Sequence, residues 1–255
     1  MGVSVLWSMS HRQEFVNVVG LRLDGRRPHE PRQTRCTFDV SKQVDGSACF
    51  EQGLTRVVAV VQGPREVRRR AEQQHDRAVV NVEYSERPYS TSERRARTGD
   101  RLWTERATAI QSTLESVLML ELYPRTQIDI FISVEHADGG KLSAAINAAS
   151  LALVDAGVGM RDFVVSCSCG FLERTPLVDL CHAEEVADGP EMPLAIFAKS
   201  EEVALLQIDS KVPLDVFEEL LGLAVRGCRQ IHDVLKNELR EHTLRLLEAR
   251  NAAQS

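Results

Sequence analysis

Arginine is concentrated in the first half of this sequence, in two runs spaced to suit a polyanion. Residues 63–70 (GPREVRRR) hold four Arg against one Glu, a local +3. Residues 86–106 hold six Arg against four acids, a local +2. Each guanidinium is a planar fork of N–H donors that matches phosphate oxygens. Residues 171–220 reverse the sign, with three basic residues against twelve acids, a local −9, in a chain of net charge −6. Such asymmetry fits a chain that meets a nucleic acid with one edge and partner proteins with another; two solvated loops and an acidic face would give the same counts. Thiols are the other reactive groups. Cys167 and Cys169 form C-x-C and would share one face of a strand, with Cys181 and His182 the only nearby ligands. An isolated pair without a second spaced pair falls short of a metal site. Cys36, Cys49, Cys167, Cys169, Cys181 and Cys228 are therefore expected as free thiols, mostly buried, with no metal and no cofactor.

The elements that must position these groups follow from periodicity. A chain of 255 residues, 43% hydrophobic and 27% charged, suits one large domain or two fused halves. No apolar run approaches the ~18 residues a membrane span needs, and Met1–Val5 lack a signal-peptide pattern, so a soluble intracellular chain is expected. Residues 1–20 read as an N-terminal extension, 21–247 as the folded domain and 248–255 as a C-terminal tail. TFDV, SACFEQG and TRVVAVV read as strands, with Asp45-Gly46 as a hairpin turn. A Ser-, Arg- and Gly-rich loop covers 85–101. A helix from Leu102 to Glu121 must stop near Tyr123-Pro124. Thr126–Glu135 alternates like a strand. Gly139-Gly140 leads into an Ala-rich helix, Lys141–Ala156, closed by Gly157. Strands follow at Phe163–Phe171 and Pro176–Leu180, then a hairpin at 193–199 and 203–209. The last helix opens on Asp215 and Glu218 as a capping box and aligns Phe217, Leu220, Leu221, Ala224, Cys228, Ile231 and Leu235 on one face.

Three segments carry a resemblance: RLDGRRPHEPR at 22–32, GSACFEQGLTRVVAVVQGPRE at 46–66, and LELYPRTQIDIFISVEHADGGKLSAAINAASLALVDAGVGMRDFVVSCSCG at 120–170. In this order and spacing they resemble the RNase PH family, and among its branches most the exosome ring subunits of the ribosomal RNA processing protein forty-one type. The resemblance implies an α+β RNase PH fold with mixed sheets packed by helices and a long C-terminal helix. It further implies a ring of such domains around a central channel. The implied partners are other RNase PH-like ring subunits, RNA-binding cap subunits, an associated hydrolytic nuclease and single-stranded RNA, with no membrane. Nucleus, nucleolus and cytoplasm are the implied locations.

In catalytic relatives, inorganic phosphate attacks the last phosphodiester of an RNA 3′ end and releases a nucleoside diphosphate. Two anions must approach each other, so both need neutralising. The resemblance implies a Gly-Ser/Thr-Arg cradle at a helix N-terminus, a second Arg before the preceding helix, and an acidic pair six residues apart. Here the cradle remnant is Gly139, Gly140 and Lys141, with Lys141 in place of the hydroxyl and Leu142 in place of the Arg. The second Arg position falls on Leu102, beside Arg101. The acidic pair falls on Asp179 and Glu185, a Glu for the usual Asp. Loss of one preorganised donor costs on the order of 10²–10³ in rate. The expectation is thus a non-enzyme: a ring subunit with a degenerate site that guides RNA 3′ ends to an associated nuclease. The alternative is an active phosphate-dependent exoribonuclease, using inorganic phosphate and Mg. RNA contacts are expected from Arg65, Arg68, Arg69 and Arg70 after GPRE and from Arg94, Arg95, Arg97 and Arg101 before the helix.

Overall fold

The computed structural model describes residues 15–17, 20–67, 73–91, 101–187 and 189–254. Strands β1 (Thr34–Phe38), β2 (Gly46–Gln52) and β3 (Thr55–Glu66) run antiparallel in succession. Gln52 pairs with Thr55, so the tight turn is Gly53-Leu54, with Gly53 at φ 61°; a two-residue hairpin loop needs such left-handed backbone. The hairpin expected around Asp45-Gly46 does join β1 to β2, but its turn lies a few residues earlier. Gly46 already lies in β2, and the Asp45 carboxylate accepts the Gly63 N–H at 2.8 Å instead. Strand β4 (Val79–Glu86) lies parallel to β5 (Thr126–His136), and α1 (Arg101–Val117) makes the crossover between them. Beyond Val117 the chain tightens into a 3₁₀ turn at Leu120–Leu122, so the helix is shorter than its periodicity predicts. The first sheet has the order β1-β2-β3-β5-β4.

The Ala-rich helix is α2 (Lys141–Asp155), and every residue from Ser143 to Leu153 is buried. It packs on β2 and β3 of the first sheet and on β6 of a second. A helix covered on both faces has no solvent-facing stripe, and small side chains let both sheets close on it. Its Asn147 is satisfied across the gap: Nδ2 donates to the Ser166 carbonyl at 2.9 Å, and Oδ1 accepts the Ser166 N–H at 2.8 Å. The second sheet is antiparallel, β6 (Val164–Leu172), β7 (Thr175–Val178), β8 (Glu191–Phe197) and β9 (Val203–Leu206), in the order β7-β6-β8-β9. A single turn, α3 (His182–Glu185), precedes β8.

Helix α4 (Leu214–Gln254) covers β6, β7 and β8 with Leu220, Leu223, Ala224, Cys228, Ile231 and Leu235. It begins at Leu214, so Asp215 lies in its first turn rather than capping it, where its charge still complements the helix dipole. It also runs through most of 248–255, where a tail was expected. Order starts earlier than Leu21 too, because Phe15 and Val16 pack on Leu172, Leu177 and Leu180. All six cysteines are free, and all but Cys181 are buried. Burial pushes the Cys36 thiol up to about 12. Among the described residues no helix is long and apolar enough to cross a membrane.

Candidate functional site

The segment RLDGRRPHEPR supplies three arginines that bind two loops together. Arg32 grips both oxygens of Asp179, at 2.9 Å from Nε and 2.6 Å from Nη2, and donates to the carbonyls of Asp138, Gly139 and Leu180. Arg22 forks onto Glu184, with Nε to Oε1 at 2.8 Å, and reaches the carbonyl of Asp179 at 2.9 Å. Arg26 stands 3.5 Å from the Asp179 carboxylate. Burial would push the Glu184 carboxyl up, but the Arg22 guanidinium holds it below its ordinary value. Thr55 Oγ1 donates to the Gly139 carbonyl at 2.8 Å. The loops at 138–142 and 178–185 are thereby drawn so close that a Cβ on Gly139 would stand 2.2 Å from the Leu180 carbonyl. Only glycine fits there, at φ 82°. Asp179, expected as half of an acidic pair, is 1% exposed and saturated by arginine. It holds the frame and does not reach the cavity.

The frame opens onto a cavity of about 210 Å³ between α1, the start of α2, α3 and β8. Leu102 and Leu142 both line it, so the two positions where the resemblance implies arginine do converge. Cations are nevertheless present. Arg106 lies one turn after Leu102, Lys141 lies one residue before Leu142, and both line the same cavity. Glu86 of β4 joins them: it pairs with Arg106, stands 3.6 Å from Lys141 Nζ, and accepts the Tyr84 hydroxyl at 2.9 Å. Arg106 also lies over the Tyr84 ring, 5.8 Å from its centre, and burial pushes the Tyr84 hydroxyl far up.

Four carboxylates line the cavity with these cations: Glu105, Glu185, Glu191 and Asp209. Glu185 Oε1 accepts the Gly140 N–H at 2.6 Å, at the N-terminus of α2. Burial raises the Glu185 carboxyl, against the pull of that amide and of Lys141. Glu191, first residue of β8, is pushed to about 7 by burial and by the nearby Glu185 charge. Glu185 and Glu191 are themselves six residues apart and both line the cavity. They form the acidic pair that the geometry offers, in place of Asp179 and Glu185. Glu191 and Arg106 were missed in the sequence, although the six-residue spacing and the one-turn spacing pointed to each. Among the described residues no group of three or more His, Cys, Asp or Glu is placed to hold a metal ion.

Of the expected RNA contacts, Arg65 and Arg101 are described. Arg65 pairs with Asp129 and donates to Gln62 at 2.9 Å, so it braces β3 against β5. Arg101 is exposed at the first position of α1, beside Leu102. Arg68, Arg69, Arg70, Arg94, Arg95 and Arg97 lie outside the described residues.

Residues 30–159 match the 3′ exoribonuclease family, domain 1 (RNase PH), and residues 162–227 match domain 2 of the same family. The chain belongs to the 3′ exoribonuclease family. Within that family it is similar to the exosome complex component RRP41 homolog of Arabidopsis thaliana, 48% identical over 94% of this chain and 100% of that one. It is 44% identical to exosome complex component RRP41 of Homo sapiens, over 90% of this chain and 94% of that one. Exosome complex component Rrp41 of Pyrococcus furiosus is 38% identical over 92% and 94% of the two chains. Among solved structures, rice (Oryza sativa) Rrp46 superposes with TM-score 0.77 at 25% identity, covering 86% of this chain and 100% of that one. The exosome of Archaeoglobus fulgidus with RNA bound to its active site shares the fold, with TM-score 0.73 at 22% identity over 85% and 93% of the chains. These likenesses agree with the RNase PH fold and the RRP41-type resemblance read from the motifs.

They also correct the expectation that the chain is no enzyme. That expectation rested on the loss of two arginines. The 3′ exoribonuclease family includes archaeal Rrp41 chains like this one along nearly their whole length, and the cavity holds Lys141, expected as a cradle remnant, together with Arg106, which was not expected.

Proposed function

We propose that this chain is a core subunit of an RNA exosome ring, and that the cavity between α1, α2 and β8 receives the 3′ end of single-stranded RNA. One observation carries the reading: Arg106 and Lys141 share a single cavity with the Glu185–Glu191 pair, in a chain whose relatives are named exosome components. Cations there meet phosphate oxygens, and carboxylates accept ribose hydroxyls or hold a proton. Arg101, exposed at the rim beside Leu102, would meet the RNA backbone without regard to sequence. Chains of the same fold as ring neighbours, RNA-binding caps and a docked hydrolytic nuclease belong to the same proposal, as do nuclear, nucleolar and cytoplasmic pools. Affinity purification of the tagged full chain from its own cells, followed by cross-linking to RNA labelled at its 3′ end, tests it. Co-purifying RNase PH-like chains and cross-links mapping to α1 are the expected result. A chain recovered alone and without RNA would overturn it.

The raised Glu191 carboxyl, at the cavity beside Arg106 and Lys141, favours a more specific chemistry, phosphate-dependent 3′→5′ cleavage. Inorganic phosphate would attack the terminal phosphorus and the bond to the 3′ oxygen of the penultimate nucleotide would break. A nucleoside diphosphate then leaves, and the shortened RNA takes a proton on its new 3′ hydroxyl. A carboxyl titrating near 7 can hold that proton at neutral pH. Nucleoside diphosphate should appear when phosphate is added to the assembled ring and fall at least about 10²-fold in Glu191→Gln. RNA shortening that ignores phosphate would exclude this chemistry.

A further inference from the structure

Helix α4 is longer than the sheet beneath it requires. Its last fully buried side chain is Leu235, and every residue from Thr243 to Arg250 is exposed. The overhang is nevertheless fixed: His242 Nε2 stands 3.0 Å from the Asp155 carboxylate, and its ring stacks on Phe38 with centroids 4.2 Å apart. Beside this anchor, α4 and Phe163 enclose a groove of about 460 Å³. The rings of Phe163 and His232 lie 6.1 Å apart, and Leu239 and Leu244 continue the apolar lining. Leu246 and Leu247, also in solvent, carry the apolar stripe one turn further. Burial, with the Lys236 charge second, pushes the His232 ring below its ordinary value, so it adds no charge at neutral pH. Lys236 and Arg240, one turn apart, line the same groove. The ion pairs of α4 are Arg229–Glu201, His242–Asp155 and Arg245–Glu241, so among the described residues Lys236 and Arg240 have no carboxylate partner. The acids adjoining the groove in sequence are Asp162, Asp233 and Glu241, and none of them lines it. Asp162 is taken up by the N–H groups of Phe163, Lys199 and Ser200.

An apolar groove with unpaired cations on its rim suits a partner that brings both apolar surface and negative charge. We propose that this groove docks a segment of another protein in which an apolar side chain sits between Asp or Glu residues. The apolar side chain fills the space between Phe163 and Leu244, and the carboxylates pair with Lys236 and Arg240. With α4 already held by His242, docking has to order the partner alone. Charge disfavours a second copy of this chain: antiparallel pairing of two α4 helices about Thr243 sets Lys236 against Arg250. RNA fits less well, because two cations make a short track and the aliphatic Leu239 and Leu244 offer bases no ring to stack on. The groove shares no residue with the cavity between α1, α2 and β8. All of its lining except Phe163 lies beyond residue 227, outside both family matches. Docking there is thus independent of RNA uptake in the cavity.

Site-specific photo-cross-linking tests the groove. The full chain, carrying benzoylphenylalanine at position 243, is irradiated in its own cells and purified, and the attached peptide is sequenced by mass spectrometry. The expected product is a protein segment with Leu, Ile, Met or Phe flanked by acids. A synthetic copy of that segment should bind the purified full chain in fluorescence anisotropy. Lys236→Glu and Arg240→Glu should each weaken that binding about 10-fold, as loss of a close charge pair does. Leu244→Asp should weaken it too, while Glu241→Lys, off the groove, should leave it unchanged. All four positions are exposed, so the variants should fold, and circular dichroism checks that they do. A cross-link to RNA, to a second copy of this chain or to a segment without acids would overturn the proposal, as would the absence of any cross-link. So would a synthetic segment that binds both charge-reversed variants as tightly as the parent.

Discussion

In the arginine frame both members of the Arg22–Glu184 pair are fully buried, and Arg32 and Asp179 are 7% and 1% exposed. In the cavity Arg106 is 29% exposed and Lys141 21%, and they share a single carboxylate. The two clusters use the same side-chain chemistry, yet the first is closed on itself while the second opens onto a cavity. Completely satisfied ion pairs fix loops in place and have no donors to offer a ligand. Incompletely satisfied ones cost stability and hold binding capacity in reserve. Burial and pairing, rather than residue type, thus separate a framework arginine from a binding arginine.

Removing Arg32 should break the comparison most severely. Arg32→Ala strands the buried Asp179 charge and several carbonyls, and we expect a loss of about 3–5 kcal/mol in urea unfolding. Asp179→Asn keeps the shape but discards the charge-assisted bonds, and should cost about 2–3 kcal/mol. Activity lost in that variant alongside stability would reflect the frame, so Glu191→Gln is the cleaner probe of chemistry. Arg106→Gln should cost only about 1 kcal/mol, because its side chain is 29% exposed rather than closed off; a cost equal to that of Arg32→Ala would erase the distinction. The Glu191 carboxyl is raised in the folded chain, so the folded state binds more protons than the unfolded between the ordinary carboxylate range and about 7. Stability should therefore fall as pH rises across that window and level off above it, and Glu191→Gln should flatten the fall. Smallest of all, Arg101→Ala should shift unfolding by less than about 0.5 kcal/mol and reduce the salt slope of RNA binding by about 1.

Periodicity made β5, α2 and the β8–β9 hairpin visible in advance, since each carries a strict apolar pattern bounded by glycine or proline. The Asp45-Gly46 turn was misplaced by a few residues because a favourable dipeptide was outweighed by a tertiary bond from Asp45 to Gly63. The α1 end misled for a related reason, as Leu118 leaves the helix to pair with Met160. At the site, Leu102, Leu142 and Glu185 were placed by the family resemblance, and all three line the cavity. The buried setting of Asp179 was not legible, because its partner Arg32 is 147 residues away in sequence. Arg106 and Glu191 carried spacing signals, but only the fold shows which of two six-residue acidic pairs faces the cavity.

The cavity wall is drawn from both sides of the junction near residue 160: Leu102, Arg106 and Lys141 come from the first family match, Glu185 and Glu191 from the second. Helix α2 is the shared filling between the two sheets, and the arginines that fix Glu184 and Asp179 arrive from the opposite end of the polypeptide. A chain severed at that junction should lose the pocket in each fragment and regain it only when the halves are mixed and refold together. Evolution faces the same restriction: substitutions on one half of the wall are judged against the other, so exchange of either half between distant relatives would join cations and acids never selected as a set.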